Sequence, residues 1–410
     1  MKHKYFIIFI ALLIAFTSVA VAADVDSGDT AGDISASVAA NDVAQTVDAP
    51  VSVSDNGNDN KIIKNTQQAT ENVAVKENSG QTRNTTPTVW NISNANFSEI
   101  VTSNGLYSSV NDGDILNFTE NVSRTLQNYT IDKPVNIVGN GFTLDLNTIY
   151  GYNLPSLEQT NIEFTSGASN SNITNLKFHN TQVFTTSASN ITFDNINVTV
   201  DQGVGMYTGY FALRDGVINV TVKNSYFHGV NNTGCSAIAV TMGENCTIDN
   251  NVVIGEGTVG NLIYLNTYNA GPVTNNITQN KGNRITNNNI TGPVGASICY
   301  GIAITGPNNL IENNTIYYNG SYGITTNWIG SYENVTDPGD EHNVSYYGNR
   351  YINNTIVGTA KFSTGNYSVI ENNTFGGTST IVGHANVTNN IFLAGVTVHN
   401  NVRFHSSDAT

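Results

Sequence analysis

The chain has 410 residues, 39% hydrophobic, 9% aromatic and only 11% charged, and its formal charge is −15 from 16 Lys and Arg against 31 Asp and Glu. That balance excludes a basic nucleic-acid-binding stripe, and three Cys exclude a disulfide-dense small scaffold. Asparagine takes much of the place of charge, at roughly one residue in six. Asn, Thr and Gly are poor in helix interiors and good in turns, so a long helical protein is excluded as well.

Lys2, His3 and Lys4 precede an apolar run from Tyr5 to Phe16, and Ala20-Val21-Ala22 supplies small residues for cleavage. Residues 1–22 read as an export signal, since the run is too short for a comfortable membrane span. No second long apolar run follows, so no transmembrane anchor is expected once the signal is removed. Residues 23–89 contain no Phe, Tyr or Trp and are dotted with Asp24, Asp26, Asp29, Asp33, Asp42 and Asp48. They cannot bury enough apolar surface to offset ordering entropy, which predicts a disordered, acidic spacer. Trp90 marks the start of the folded body.

From Trp90 onward one pattern recurs: an apolar residue, any residue, Asn, two residues, another apolar residue. Its nine copies carry Asn175, Asn195, Asn224, Asn250, Asn287, Asn313, Asn353, Asn372 and Asn389, with steps of 20, 29, 26, 37, 26, 40, 19 and 17. The apolar pair in each copy (Ile173 and Phe178 in the first, Val387 and Phe392 in the last) is five residues apart. On a continuous strand, residues an odd number apart face opposite sides. Both reach one core only if the chain bends between them, and Asn tolerates the left-handed conformation of a tight corner. Each copy therefore predicts strand, corner, strand. Stacked at about 4.8 Å, such units build a parallel β-helix, and stacked Asn side chains can form a ladder. The class predicted is all-β, a right-handed parallel β-helix solenoid over residues 90–405. It has an amphipathic cap at about 90–118 (apolar at Phe97, Ile100, Val101 and Leu106) and a tail at 406–410. The register over 250–287 and 313–353 stays open between two coils and one coil with a long loop. A final copy reads as Val398-x-Asn400, reaching Arg403 as a polar terminal coil.

The stretches Asp112-Gly113-Asp114-Ile115 and Ile131-Asp132-Lys133-Pro134-Val135-Asn136-Ile137-Val138-Gly139-Asn140-Gly141 are similar to the opening coils of right-handed parallel β-helix proteins. The Asn-Asn-Thr-Ile and Asn-Asn-Thr-Phe copies at Asn313, Asn353 and Asn372 look like the same class. With the signal segment and polar spacer, the chain resembles the adhesin-like surface proteins of methanogenic archaea, whose body is pectin lyase-like. The resemblance implies an exported cell-surface protein. Such proteins often carry immunoglobulin-like repeats or a wall-binding region after the helix, and neither is read before Thr410.

The pectin lyase-like architecture also hosts lyases and hydrolases. A galacturonan hydrolase of that fold implies Asn-Thr-Asp, paired Asp, Gly-His-Gly and Arg-x-Lys segments, and none is present; Phe227-His228-Gly229 and Gly383-His384-Ala385 are weak echoes. Asp194, Asp201, Arg214 and Asp215 are the catalytic candidates, because they fall in neighbouring coils and a carboxylate cluster with a basic partner suits proton transfer. Against this, charged residues at corners are usually solvated. The insertion before Tyr351 holds Tyr318, Tyr322, Trp328, Tyr332 and Tyr346, candidates for a sugar-binding shelf. It also holds Asp337, Asp340 and Glu341, which carry oxygen ligands for Ca2+, although the spacing is not that of an EF-hand. No other cofactor is predicted. Cys235, Cys246 and Cys299 read as buried thiols, with a Cys235–Cys246 disulfide as the alternative. Sequons such as those at Asn197, Asn219, Asn289 and Asn386 are glycosylation candidates.

The reading is a secreted or cell-surface, non-enzymatic protein presenting lateral faces to carbohydrate or a surface partner. The alternatives are a polysaccharide lyase or glycoside hydrolase, and a structural envelope component.

Overall fold

The computed structural model describes residues 86–125, 127–147, 160–201, 209–229, 236–256, 261–266, 280–292, 300–318, 322–326, 347–399 and 403–404. The predicted signal and all but the end of the spacer lie outside them. The body is almost all strand and parallel, and three sheets run its length. Sheet I holds the strands before the Asn corners, such as Thr192–Asp194, Thr221–Lys223 and Thr247–Asp249. Sheet II holds those after the corners, such as Lys177–His179, Asn197–Val200 and Tyr226–Gly229. Sheet III completes each coil, as in Gln182–Thr186, Phe211–Arg214 and Ile238–Thr241. Each strand pairs with its counterpart one coil along, in parallel register, for example Phe193↔Val222 and Val198↔Phe227. The result is a right-handed parallel β-helix. Sheets I and III join towards residue 390, where Ala360–Glu371 and Ser379–Thr388 run through both.

The apolar pairs explain the core. All nine leading residues, from Ile173 to Val387, are at most 1% exposed, as are the trailing ones from Phe178 to Phe375, and Phe392 packs against the cluster. The bend that brings both inward is left-handed backbone at Asn: φ runs from 52° at Asn175 to 58° at Asn287 across the nine corner positions. A second left-handed column closes the turn into sheet I, at Asn170, Asn190, Asn219, Asn245, Gly282, Asn308, Gly348 and Tyr367. Phe164, Phe193, Phe211 and Phe227 meet edge to face along the interior at 5.0–5.4 Å between centroids.

The buried ladder belongs to the residue after the corner. Asn251, Asn288, Asn314, Asn354, Asn373 and Asn390 are 1–5% exposed. The backbone N–H of Asn288 donates to Asn314 Oδ1 at 3.0 Å, and that of Asn314 to Asn354 Oδ1 at 3.0 Å. Each amide nitrogen also donates back one coil, as Asn314 Nδ2 does to the Ile285 carbonyl at 2.8 Å. The corner Asn side chains bond on the outside instead, as in Asn250 Nδ2 to Asn224 Oδ1 at 2.8 Å.

The two long steps are single coils with insertions. Thr247–Asp249 pairs directly with Arg284–Thr286, and Leu310–Glu312 with Arg350–Ile352. The terminal copy read at Val398 is corrected: Val398 pairs with Ile381 in sheet III, and Phe404 takes the sheet I position beside Val387. The first coil is capped by a helix at Phe97–Ile100 and a hairpin pairing Val101 with Leu106, with all four of those residues buried.

Candidate functional site

Alternation along sheet II sends Leu144, Phe178, Val198 and Phe227 inward. It sends Thr143 and Asp145, Lys177 and His179, Asn197 and Thr199, and Tyr226 and His228 outward. These outward residues fall into two columns, because the strands pair Lys177 with Thr143 and Asn197, and His179 with Asp145 and Thr199. With Asn121, Val122 and Ser123, those from Thr143 to Thr199 line a cavity of about 430 Å³ on the lateral face, and Tyr226 and His228 lie beyond it.

Two of its lining residues, Asp145 and His179, belong to a clasp across three coils. His179 Nδ1 lies 2.8 Å from Asp145 Oδ2, and Nε2 lies 2.7 Å from Asp201 Oδ2. Burial lowers the imidazole pKa, but hydrogen bonds and charge from Asp145 and Asp201 outweigh it, so the net shift is upward. Asp145 Oδ1 also accepts the Asn147 backbone N–H at 2.7 Å. Asp201 is tied to Asn180, whose Oδ1 accepts the Asp201 backbone N–H at 2.9 Å. Further along the face His228 Nε2 meets Glu256 Oε1 at 3.2 Å, and Tyr226 packs edge-on to His228. Burial, then the Glu256 charge, pushes the Tyr226 phenol upward. Both nitrogens of His179 are engaged, so the clasp offers fixed donors and acceptors to hydroxyl groups and no unengaged ring nitrogen for a substrate proton.

The four catalytic candidates do not form one site. Asp194 sits on sheet I, 3.3 Å from Lys223 Nζ, and accepts the Asn224 amide at 2.8 Å. Arg214 sits on sheet III, 3.1 Å from Glu163 and 3.8 Å above the Phe184 ring. Asp215 is a left-handed turn residue whose carbonyl accepts Ser187 Oγ. Asp201 alone meets the groove, through its contact with His179 Nε2. Sequence reading missed Asp145, Lys177, His179 and Asn197. The signal was present: aligning Leu144, Phe178 and Val198 as one inward column puts Asp145 and His179 in one outward column.

Among the shelf candidates, Tyr318 is corrected outright. It is 2% exposed inside the core, with its ring against Gly292, where a Cβ would lie 2.0 Å from it. Such a ring has no face for a sugar. Tyr322 lies in the strand Tyr322–Thr326, its side chain beyond the described ones. Trp328, Tyr332 and Tyr346, and the Ca2+ candidates Asp337, Asp340 and Glu341, lie outside the described residues. Among the described residues no group of three or more His, Cys, Asp and Glu is placed to hold a metal. Cys246 is a buried free thiol whose pKa burial pushes up to about 12, and Cys235 and Cys299 are outside the described residues. No described helix is long and apolar enough to cross a membrane.

No protein-family model and no curated protein matches the chain. Among solved structures it is similar to the A-module of the Azotobacter vinelandii mannuronan C-5 epimerase AlgE4 (12% identity, 73% of this chain and 91% of that one, TM-score 0.42). It is also similar to the catalytic domain of a GH87 α-1,3-glucanase (15%, 74% and 68%, 0.37) and to the Streptococcus pneumoniae surface protein and adhesin PfbA (13%, 71% and 90%, 0.34).

Proposed function

We propose that this is an exported, cell-surface protein whose β-helix binds a neutral, hydroxyl-rich glycan along the outer face of sheet II, without chemical turnover. The observation that carries the reading is the groove itself. It presents Lys177, Asn197, Thr199 and the clasped Asp145 and His179 at the regular spacing of the coils, about 4.8 Å. Polar groups fixed by their own hydrogen bonds lose little freedom on meeting hydroxyls. The chain's charge of −15 argues against polyanions as the ligand class. A long lateral face suits many weak contacts multiplied by avidity.

The test is retention of the full chain on immobilised mannan, dextran and cellulose, with alginate and polygalacturonate as acidic comparators. Retention on a neutral glycan, weakened at least tenfold in a Lys177→Ala, Asn197→Ala double variant, supports the reading. Retention on the acidic glycans alone overturns the ligand class. One observation favours a second reading: two carboxylates flank one imidazole in a groove, the ingredients of glycosidic bond cleavage. Release of reducing or unsaturated ends during the same incubation, lost in Asp145→Asn, would replace binding by hydrolysis or elimination.

A further inference from the structure

The clasp links three separate coils. Asp145 ends the strand Thr143–Asp145, His179 ends Lys177–His179, and Asp201 follows Asn197–Val200. The two arms are held differently. The Asp145 side chain is 28% exposed and anchored by the Asn147 N–H. The Asp201 side chain is 51% exposed, and beyond His179 its carboxylate has, among the described residues, only a long 3.4 Å contact from Asn180 Nδ2. The strand leading into Asp201 carries Asn197 and Thr199, which line the groove.

An imidazolium has two N–H donors and satisfies both carboxylates. A neutral imidazole has one donor and one lone pair. With both carboxylates ionised, loss of one proton turns one of the two contacts into a lone pair facing a carboxylate oxygen. The anchored Asp145 keeps the remaining donor, and Asp201 is the arm that lets go. The other charged groups around the ring do not replace the lost proton. Lys177, on the same strand, has no ion-pair partner among the described residues. Arg124 donates its backbone N–H to the Asp145 carbonyl, while its guanidinium bonds Ser98 and Asn94 in the cap. His228 and Glu256 pair with each other further along the face, beyond Thr199.

Resting on the reading of this groove as the glycan surface, we propose that Asp145, His179 and Asp201 form a proton-operated fastener, which fixes the Asp201 end of the ligand-facing strand Asn197–Val200 against the groove while the ring carries both protons and releases glycan when one is lost. Because the two carboxylates hold the ring proton more firmly than water does, release falls on the alkaline side of the ordinary imidazole value of about 6.5.

The experiment is retention of the full chain on immobilised mannan, dextran and cellulose from about pH 5.5 to about pH 9. In parallel, NMR follows the His179 ring and the Asp201 amide, and far-UV circular dichroism follows the fold. A one-proton linkage allows at most about a tenfold loss of affinity per pH unit. Retention is expected to fall on that slope, with a midpoint shared by the His179 ring and the Asp201 amide and with the sheet signal constant. In Asp201→Asn the amide can either donate to or accept from the ring nitrogen, so the pH dependence should flatten. Retention that stays level while His179 titrates overturns the fastener and leaves the glycan reading standing. So does a slope that survives in Asp201→Asn. Failure to retain any glycan at any pH overturns the glycan reading, and the fastener with it.

Discussion

Adjacent asparagines in one repeat carry different loads, and Asn313 and Asn314 make the test. Asn313 is a corner, at φ 57°. Asn313→Gly keeps the left-handed backbone and should change stability by less than about 0.5 kcal/mol, whereas Asn313→Ala keeps a Cβ there without the short polar side chain that eases the conformation, at about 1–2 kcal/mol. Asn314 is 1% exposed. Its Oδ1 accepts the Asn288 backbone N–H at 3.0 Å and Asn288 Nδ2 at 2.9 Å. Its Nδ2 donates to the Ile285 carbonyl at 2.8 Å and to Asn354 Oδ1 at 3.0 Å. Asn314→Ala orphans the Asn288 N–H in a site closed to water, weakens the Ile285 carbonyl's environment and leaves a small void. At roughly 1–3 kcal/mol per buried group left without a partner, the loss should be about 3–5 kcal/mol. Urea unfolding followed by circular dichroism reads the midpoints, with the order wild type, Asn313→Gly, Asn313→Ala, Asn314→Ala. An Asn313→Ala protein less stable than Asn314→Ala would refute the assignment of the ladder to the second asparagine.

Tyr367 occupies the second left-handed column at φ 65° and is 85% exposed, so Tyr367→Asn should raise the urea midpoint by about 1 kcal/mol equivalent; a lower midpoint would mean that its ring makes compensating contacts. Thr185 is fully buried and its hydroxyl has no hydrogen-bond partner among the described residues, so Thr185→Val, which keeps the shape and removes the stranded polar atom, should stabilise by about 1–2 kcal/mol in thermal unfolding. His179 has a raised folded pKa, so its contribution to stability is complete below the unfolded value of about 6.5 and is lost as pH rises through the folded one. The stability gap between wild type and His179→Gln should therefore narrow on the alkaline side, and a gap that widens there would contradict the clasp.

The fold was legible because its rule is local. Nine apolar pairs five apart demand a bend, and only a residue at ease with positive φ can supply it, so Asn250 or Asn313 announces a corner without any knowledge of its neighbours. Corner asparagines do bond from coil to coil, as Asn250 does to Asn224, but the buried ladder lies one residue on, because a corner and a buried stack both favour Asn, and the doublet Asn313-Asn314 does not say which does which. The groove was harder still. Asp145, His179 and Asp201 are separated by 34 and 22 residues and meet only through the coil register. Asp194, Asp201, Arg214 and Asp215 are closer in sequence, but proximity along a coil places residues on different sheets. Tyr318 belonged to an aromatic-rich insertion by composition, yet sheet alternation after Ile316 carries the chain back inward, and its ring fills the space above Gly292.

The ladder and the groove divide the rod between them. At the ladder position the early coils carry Leu176 and Ile196, then Ser225, and asparagine begins only at Asn251. Ser225 Oγ accepts the Ile196 N–H at 3.1 Å, a single bond where later coils make several. The coils that lack the internal asparagine stack are the ones that carry Asp145, His179 and Asp201 on their outer face. There, beside buried hydroxyl ties such as Thr181 Oγ1 to the Leu144 carbonyl, the coils are also tied outside, on groups open to water and to protons. From Asn251 onward a continuous inner stack adds ties on amides that no change of pH can discharge. A groove that responds to pH as proposed needs inter-coil bonds that titrate. A rod that must hold its shape needs bonds that do not. The placement of the first asparagine in the stack, just past the clasp, separates those two requirements along a single chain.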